Sequence, residues 1–224
     1  MNTITDTPDW APRVITLLAA GMLVVQFLMV AQRMLITNVR LFAIQSLLLA
    51  GIAAVTAWSH DNPGVYFMAG LTLAGKVFAL PWFVARLVRK IRIEKEMQPW
   101  INPPTAMLLC GGFTLLSYLV ARPFATAETA GANTFGVSIA LMLIGFFLMI
   151  NRQQAVTQVL ALLCAENGLF LAAISLTAHG MPLVVELGIF FDLFVAVMVL
   201  GILVYRIRAT FASIDVERLN QLKG

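Results

Sequence analysis

The sequence predicts an all-α integral membrane protein of about seven transmembrane helices. Of its 224 residues, 60% are apolar and only 12% are charged, and the mean hydropathy is +0.89. That composition lies with membrane proteins rather than soluble domains. The apolar residues also gather into seven runs of about the 20 residues that a helix needs to cross the hydrocarbon core. In lipid every backbone N–H and C=O must find its partner within the segment or in a closed barrel. These runs are too long and too uniform for barrel strands, which need only about 9–11 alternating residues.

The runs cover roughly residues 14–31, 39–58, 65–85, 104–121, 134–150, 155–177 and 183–204. The N-terminal stretch MNTITDTPDWAPR carries acids and lacks a basic n-region, so it does not read as a cleavable signal and the first run is expected to remain as a span. The third run continues into the longest connection, 86–104, which is strongly basic. This stretch is expected to set topology against anionic headgroups, with a protein docking site as the alternative. Trp100 suits the interface, and Pro103 and Pro104 can open the fourth span. Asn151, Gln153 and Gln154 surround Arg152 in a short polar turn expected to be a solvated loop. The tail TFASIDVERLNQLKG is too polar to insert, and Ser213 can cap a short helix there with Asp215 and Glu217 in its first turn.

Charge sorts the connections. One side carries Arg33, Arg40, the basic cluster from Arg86 to Lys95, Arg152 and the C-terminal Arg206, Arg208, Arg218 and Lys223. The other carries Arg13 and Arg122 among Asp6, Asp9, Asp61 and Glu128. The positive-inside rule then places the N-terminus outside and the C-terminus in the cytoplasm, which an odd number of spans requires. The net charge of +4 thus follows membrane topology and not a nucleic-acid patch.

Residues 27–65 and 146–184 align at a constant offset without a gap. Arg33 falls on Arg152, AAVT at 53–56 on AAIS at 172–175, and His60, Pro63 and Val65 on His179, Pro182 and Val184. This pattern implies a parallel duplication of a three-helix unit, unlike the inverted repeats of many secondary transporters. The expected organisation is an N-terminal unit over 1–103, a linking fourth helix and outer loop over 104–133, and a second three-helix unit with its tail over 134–224.

Three ionisable residues fall near the middle of spans: Lys76, Glu166 and Asp192. On insertion scales a charge at bilayer depth costs at least about 2.5–3.5 kcal/mol, so such residues are held for a purpose. Glu186 lies nearer the outer end of the seventh span, about 9 Å from Asp192 along the axis and on a different face. Desolvation favours neutral carboxyls and a nearby cation restores their charge, so a group of this kind at one depth can exchange protons. The alternative is a static ion pair of Lys76 with Glu166 or Asp192, which desolvation makes weak evidence for stability. Cys110 and Cys164 sit inside apolar runs without metal-ligand spacing and read as small apolar fillers. His60 and His179 both lie at the outer edge beside prolines, a placement that favours a shared loop geometry over haem ligation.

The second unit, 136–224, resembles the K subunit of respiratory complex I. The residues that carry the likeness are GVSIALMLIGFFLMINR, ALLCAENGLFLAA with Glu166, and FFDLFVAVMVLGILVYRIR with Asp192. The stretch from Arg152 to Glu166 is about one turn longer than in that subunit. The third-span acid is Asp, leaving open whether Asp192 or Glu186 takes the carboxylate's place. Over its whole length, with Lys76 in GLTLAGKVF and the sequence CAENG, the chain is similar to hydrogenase-4 component E, found in group 4 hydrogenase and formate hydrogenlyase complexes.

The resemblance implies a multi-pass subunit of the bacterial inner (plasma) membrane. Its partners would be antiporter-like subunits and a quinone- or hydrogenase-module anchor. Glu166, Asp192, Lys76 and Glu186 would line the charge-transfer axis of a proton- or sodium-translocating oxidoreductase. No Cys cluster for iron–sulfur and no Gly-rich dinucleotide loop occurs. No cofactor, metal or catalytic centre of its own is therefore expected. A structural scaffold, a free-standing secondary transporter and a haem- or quinone-binding electron carrier are the competing functions.

Overall fold

A computed structural model describes residues 10–60, 70, 73–79, 81–82, 84–86, 99–124 and 131–176. The seventh span at 183–204, with Glu186 and Asp192, lies outside the described residues, as do His179, the C-terminal tail and most of the basic connection.

Five long α-helices occur among the described residues: α1 (Ala11–Ala31), α2 (Leu35–His60), α3 (Pro103–Ala121), α4 (Gly131–Asn151) and α5 (Ala155–Leu176). All five contain a stretch long and apolar enough to cross a membrane. They coincide with the first, second, fourth, fifth and sixth runs of the sequence. Part of the third run forms a π-helical segment, Leu73–Ala79, with Lys76 at its centre. The wider π turn is a departure that recurs at functional positions in helices.

Local chemistry sets several of the ends. Pro12 stands in the first turn of α1 and Pro103 and Pro104 open α3, where the missing proline N–H costs no intrahelical bond. At the N-terminal end of α1, the rings of Trp10 and Trp58 meet at a tilt of 41° with centroids 5.3 Å apart. Large amphipathic rings of this kind suit a membrane–water boundary.

The helices pack as α1 on α2, α4 on α5, α3 on α4, and then α1 on α4 and α2 on α5. The closest approach is between α4 and α5. A Cβ on Gly145 would stand 2.7 Å from both the backbone nitrogen and Cβ of Ala165, and one on Gly168 would stand 2.8 Å from the backbone nitrogen of Met142. Small residues at such contacts let two backbones meet, which is how helices associate where lipid removes the hydrophobic drive. Glu166 and Asn167 occupy the positions between Ala165 and Gly168, so the same contact holds their backbone still.

Toward the other end of the bundle, Val30, Ala106, Cys110, Ile144, Leu148 and Ala161 form a buried apolar cluster. Arg152 closes that end. Its Nη2 donates to the carbonyls of Met29 at 2.9 Å, Val30 at 3.2 Å and Gln32 at 3.0 Å. These are the carbonyls that a helix C-terminus leaves unpaired, and a cation there also complements the helix dipole. Asn151 Oδ1 accepts from the backbone N–H of Ile101 at 2.8 Å, and Gln158 Nε2 donates to the Arg152 carbonyl at 2.8 Å. With Asn151 only 3% and Arg152 4% exposed, this half of the turn is a buried knot tying α1, α3, α4 and α5. The expectation of a solvated loop holds for Gln153, which is exposed, and in part for Gln154, which is half-buried, and is corrected for Asn151 and Arg152. The physical reason is that α1 ends beside the turn with acceptors that need a donor.

Candidate functional site

Glu166 projects from the middle of α5, and Lys76 reaches it from the π-helical segment. Lys76 Nζ stands 3.1 Å from Glu166 Oε1. The lysine is 6% exposed and the glutamate 4%, so the charges compensate each other away from solvent. Lys76 Nζ also donates to Asn167 Oδ1 at 3.3 Å and lies 6.0 Å from the centroid of the Phe170 ring, within reach of a cation–π attraction. Phe170 follows Glu166 by one helical turn, so α5 supplies carboxylate, amide and ring to one ammonium.

The polar contacts continue past Asn167. Its Nδ2 donates to Gln45 Oε1 and to Ser46 Oγ, both at 3.3 Å. Gln45 Nε2 donates in turn to Gln26 Oε1 at 2.6 Å and to the Met22 carbonyl at 3.5 Å. Asn167, Gln45, Ser46 and Gln26 are fully buried. The direction of this chain is set by its first member. An ammonium has donors and no acceptor, so Asn167 must present its oxygen to Lys76 and its nitrogen to Gln45. Gln45 must then present its oxygen to Asn167 and its nitrogen to Gln26. The orientation of all three amides follows from the lysine.

Of the four ionisable residues singled out in the sequence, the structure brings Lys76 and Glu166 into contact. Asp192 and Glu186 lie outside the described residues. Sequence reasoning passed over Gln26, Gln45, Ser46 and Asn167. A signal was present: Gln26 stands alone within an apolar run, Gln45 and Ser46 form a polar pair within the next, and Asn167 follows Glu166 directly. An amide in lipid is costly unless bonded, so two such residues on successive spans already point to a partner. Cys164 Sγ lies 3.6 Å from Met29 Sδ, and both cysteines are buried free thiols.

No protein-family model matches this chain, and no solved structure matches it. Curated proteins do. An uncharacterised protein of Mycobacterium tuberculosis (strain ATCC 25618 / H37Rv), Rv0085, is 34% identical over 208 residues, covering 92% of this chain and 94% of that protein. Hydrogenase-4 component E of Escherichia coli (strain K12) and of Shigella flexneri is 26% identical over 184 residues, covering 82% of this chain and 85% of each relative. The second similarity is more distant and agrees with the resemblance carried by CAENG and GLTLAGKVF. The bundle of apolar helices and an identity of 34% across nearly the whole of both proteins together show that this chain is a membrane protein belonging to the family of the mycobacterial protein Rv0085.

Proposed function

We propose that this chain is a membrane subunit of a hydrogenase-4-type, complex-I-related assembly, in which Lys76 and Glu166 form part of a charge-transfer axis. The observation that carries the proposal is the 3.1 Å pair itself: an acid and a base in contact, both buried, in a helix bundle built for lipid. A proton moved from Lys76 to Glu166 converts two charges into two neutral groups. That exchange gives the pair two states, an ionic one favoured by the attraction between the partners and a neutral one favoured by desolvation, whose balance an outside charge can bias. Asn167, Gln45 and Gln26 do not titrate. Their role is to hold the ammonium in line, as buried groups do when a site must return to one geometry. Asp192 or Glu186 on the seventh span would extend the axis toward antiporter-like neighbours, and electrons would be handled by partner subunits.

The sequence repeat supports a duplicated architecture within this proposal. At the offset that aligns 27–65 with 146–184, the start of α2 falls one residue before the start of α5. The charge distribution supports an outer N-terminus and a cytoplasmic C-terminus in the bacterial inner membrane.

The test is Glu166→Gln in the native membrane. Ion translocation by the parent complex should be lost or sharply reduced while the complex still assembles. Undiminished translocation in an assembled complex would leave the scaffold role in its place. Purification in mild detergent separates the subunit from a free-standing transporter, because the subunit should bring its partners with it.

A further inference from the structure

We infer that the exposed face of α1 seats a transmembrane helix of a partner subunit, which runs parallel to α1 and ends beside Arg33, so that the Arg33 guanidinium donates to its last carbonyls. The inference deepens the subunit reading and rests on it.

The contact already made by Arg152 carries the inference. Arg33 and Arg152 fall on each other when residues 27–65 are aligned with 146–184, and each stands just past the end of its helix, α1 or α4. Arg152 reaches sideways to the carbonyls of Met29, Val30 and Gln32. Its acceptors end α1 and it follows α4, so the two helices finish side by side. They also pack against each other and therefore run parallel. A guanidinium in this place thus serves the end of a parallel neighbour, where carbonyls are unpaired and the helix dipole is negative.

Arg33 occupies the aligned place but lies exposed. A symmetric return contact would send it to the end of α4, to Leu148, Met149 and Asn151. That end is taken. The Asn151 carbonyl accepts from the Trp100 N–H at 3.2 Å, and Asn151 Oδ1 accepts from the Ile101 N–H at 2.8 Å. The chain entering α3 has replaced Arg33 as donor to α4 and left its guanidinium on the surface.

The same surface has room for a helix. Leu17, Ala20, Val24, Leu28 and Ala31 are exposed, and their spacing of three and four residues sets them in one stripe that leads down α1 to Arg33. Lipid could cover such a stripe, but lipid offers no row of carbonyls. A helix laid along it parallel to α1 brings its last turn to Arg33, and the two alanines let its backbone approach. A second copy of this chain does not supply that helix from among the described ones. Those that end on this side of the bundle are α1 and α4, and both ends already have their donors. The occupant is a span of a different chain that ends on the side which the charge distribution assigns to the cytoplasm.

The test uses the parent complex in native membranes. Leu28, half exposed on the stripe, is replaced by p-benzoylphenylalanine. After illumination the complex is purified in mild detergent and the adduct is mapped by mass spectrometry. The adduct should join position 28 to the C-terminal part of a transmembrane span of another subunit. Arg33→Glu sets a like charge against that helix end and should cut the adduct yield about tenfold, the scale of a lost hydrogen bond to a charged group. Arg40→Glu, the same change at an exposed arginine of α2, should leave the yield unchanged. Mapping in the chain with native Arg33 stands by itself if Arg33→Glu prevents assembly. With the partners still co-purifying, an adduct to lipid alone, to a second copy or to the opposite end of a span would overturn the inference and leave the subunit reading intact. A yield unmoved by Arg33→Glu would do the same. A chain that purifies without partners would overturn both.

Discussion

Asn167 accepts a hydrogen bond from Lys76 through one end of its amide and gives one to Gln45 through the other, both at 3.3 Å. The one side chain thus couples the π-helical segment, α2 and α5. It is also the residue next to Glu166, so the backbone that places the carboxylate places the amide.

Removing one member of the ion pair should cost more than removing both. Lys76→Met or Glu166→Leu alone leaves an uncompensated buried charge, at a cost of about 3–5 kcal/mol. The double variant Lys76→Met with Glu166→Leu should recover most of that loss. Thermal unfolding of the four chains in detergent, treated as a double-mutant cycle, measures the coupling. Additive losses would show that the two side chains do not depend on each other.

Asn167→Leu should destabilise the chain by about 1–3 kcal/mol, because it leaves Gln45 and Lys76 each short of a buried partner. Gln45→Leu in the same chain should then add less than it does alone, since the partner it would have lost is already gone. The comparison is again by unfolding midpoint in detergent.

The contact between α4 and α5 tolerates no added methyl. A Cβ on Gly168 would stand 2.9 Å from the Ser138 carbonyl oxygen as well as 2.8 Å from the Met142 backbone nitrogen, and both are backbone atoms that cannot swing away. Gly168→Ala should therefore cost about 1–3 kcal/mol through overpacking. Gly112→Ala on α3 meets nothing within 4 Å and should be neutral or stabilise by up to about 1 kcal/mol, the difference in helix propensity. Equal effects at the two positions would contradict the packing.

Arg152→Lys should behave as a loss rather than a conservative change. One guanidinium nitrogen, Nη2, shares its two hydrogens among three carbonyls at the end of α1, and an ammonium on a shorter, flexible stem does not hold a donor at that place. A loss of about 1–3 kcal/mol is expected, the scale of unmade buried hydrogen bonds. Faster amide hydrogen exchange in the last turn of α1 would locate it.

Much of the architecture was legible from residue order because its cause is local. A run of about 20 apolar residues is a span wherever it occurs, and prolines at 103 and 104 open a helix by their own ring geometry. Five of the expected runs are therefore helices at nearly the expected bounds. That Lys76 and Glu166 were exceptional was legible for the same reason, since a charge in an apolar run is costly whatever surrounds it.

Tertiary structure alone decided which groups meet. Lys76 and Glu166 are ninety residues apart in the chain, and nothing in either segment names the other. Their contact depends on a π turn and on two backbones brought together at Gly145 and Gly168. The same holds for Arg152, polar in sequence and expected to be solvated, which is buried because α1 ends beside it with carbonyls to satisfy. Local energetics determined that these side chains need partners. Only the packing of helices determined which partners they have, because the cost of a buried polar group is intrinsic to that group while its relief lies in another part of the chain.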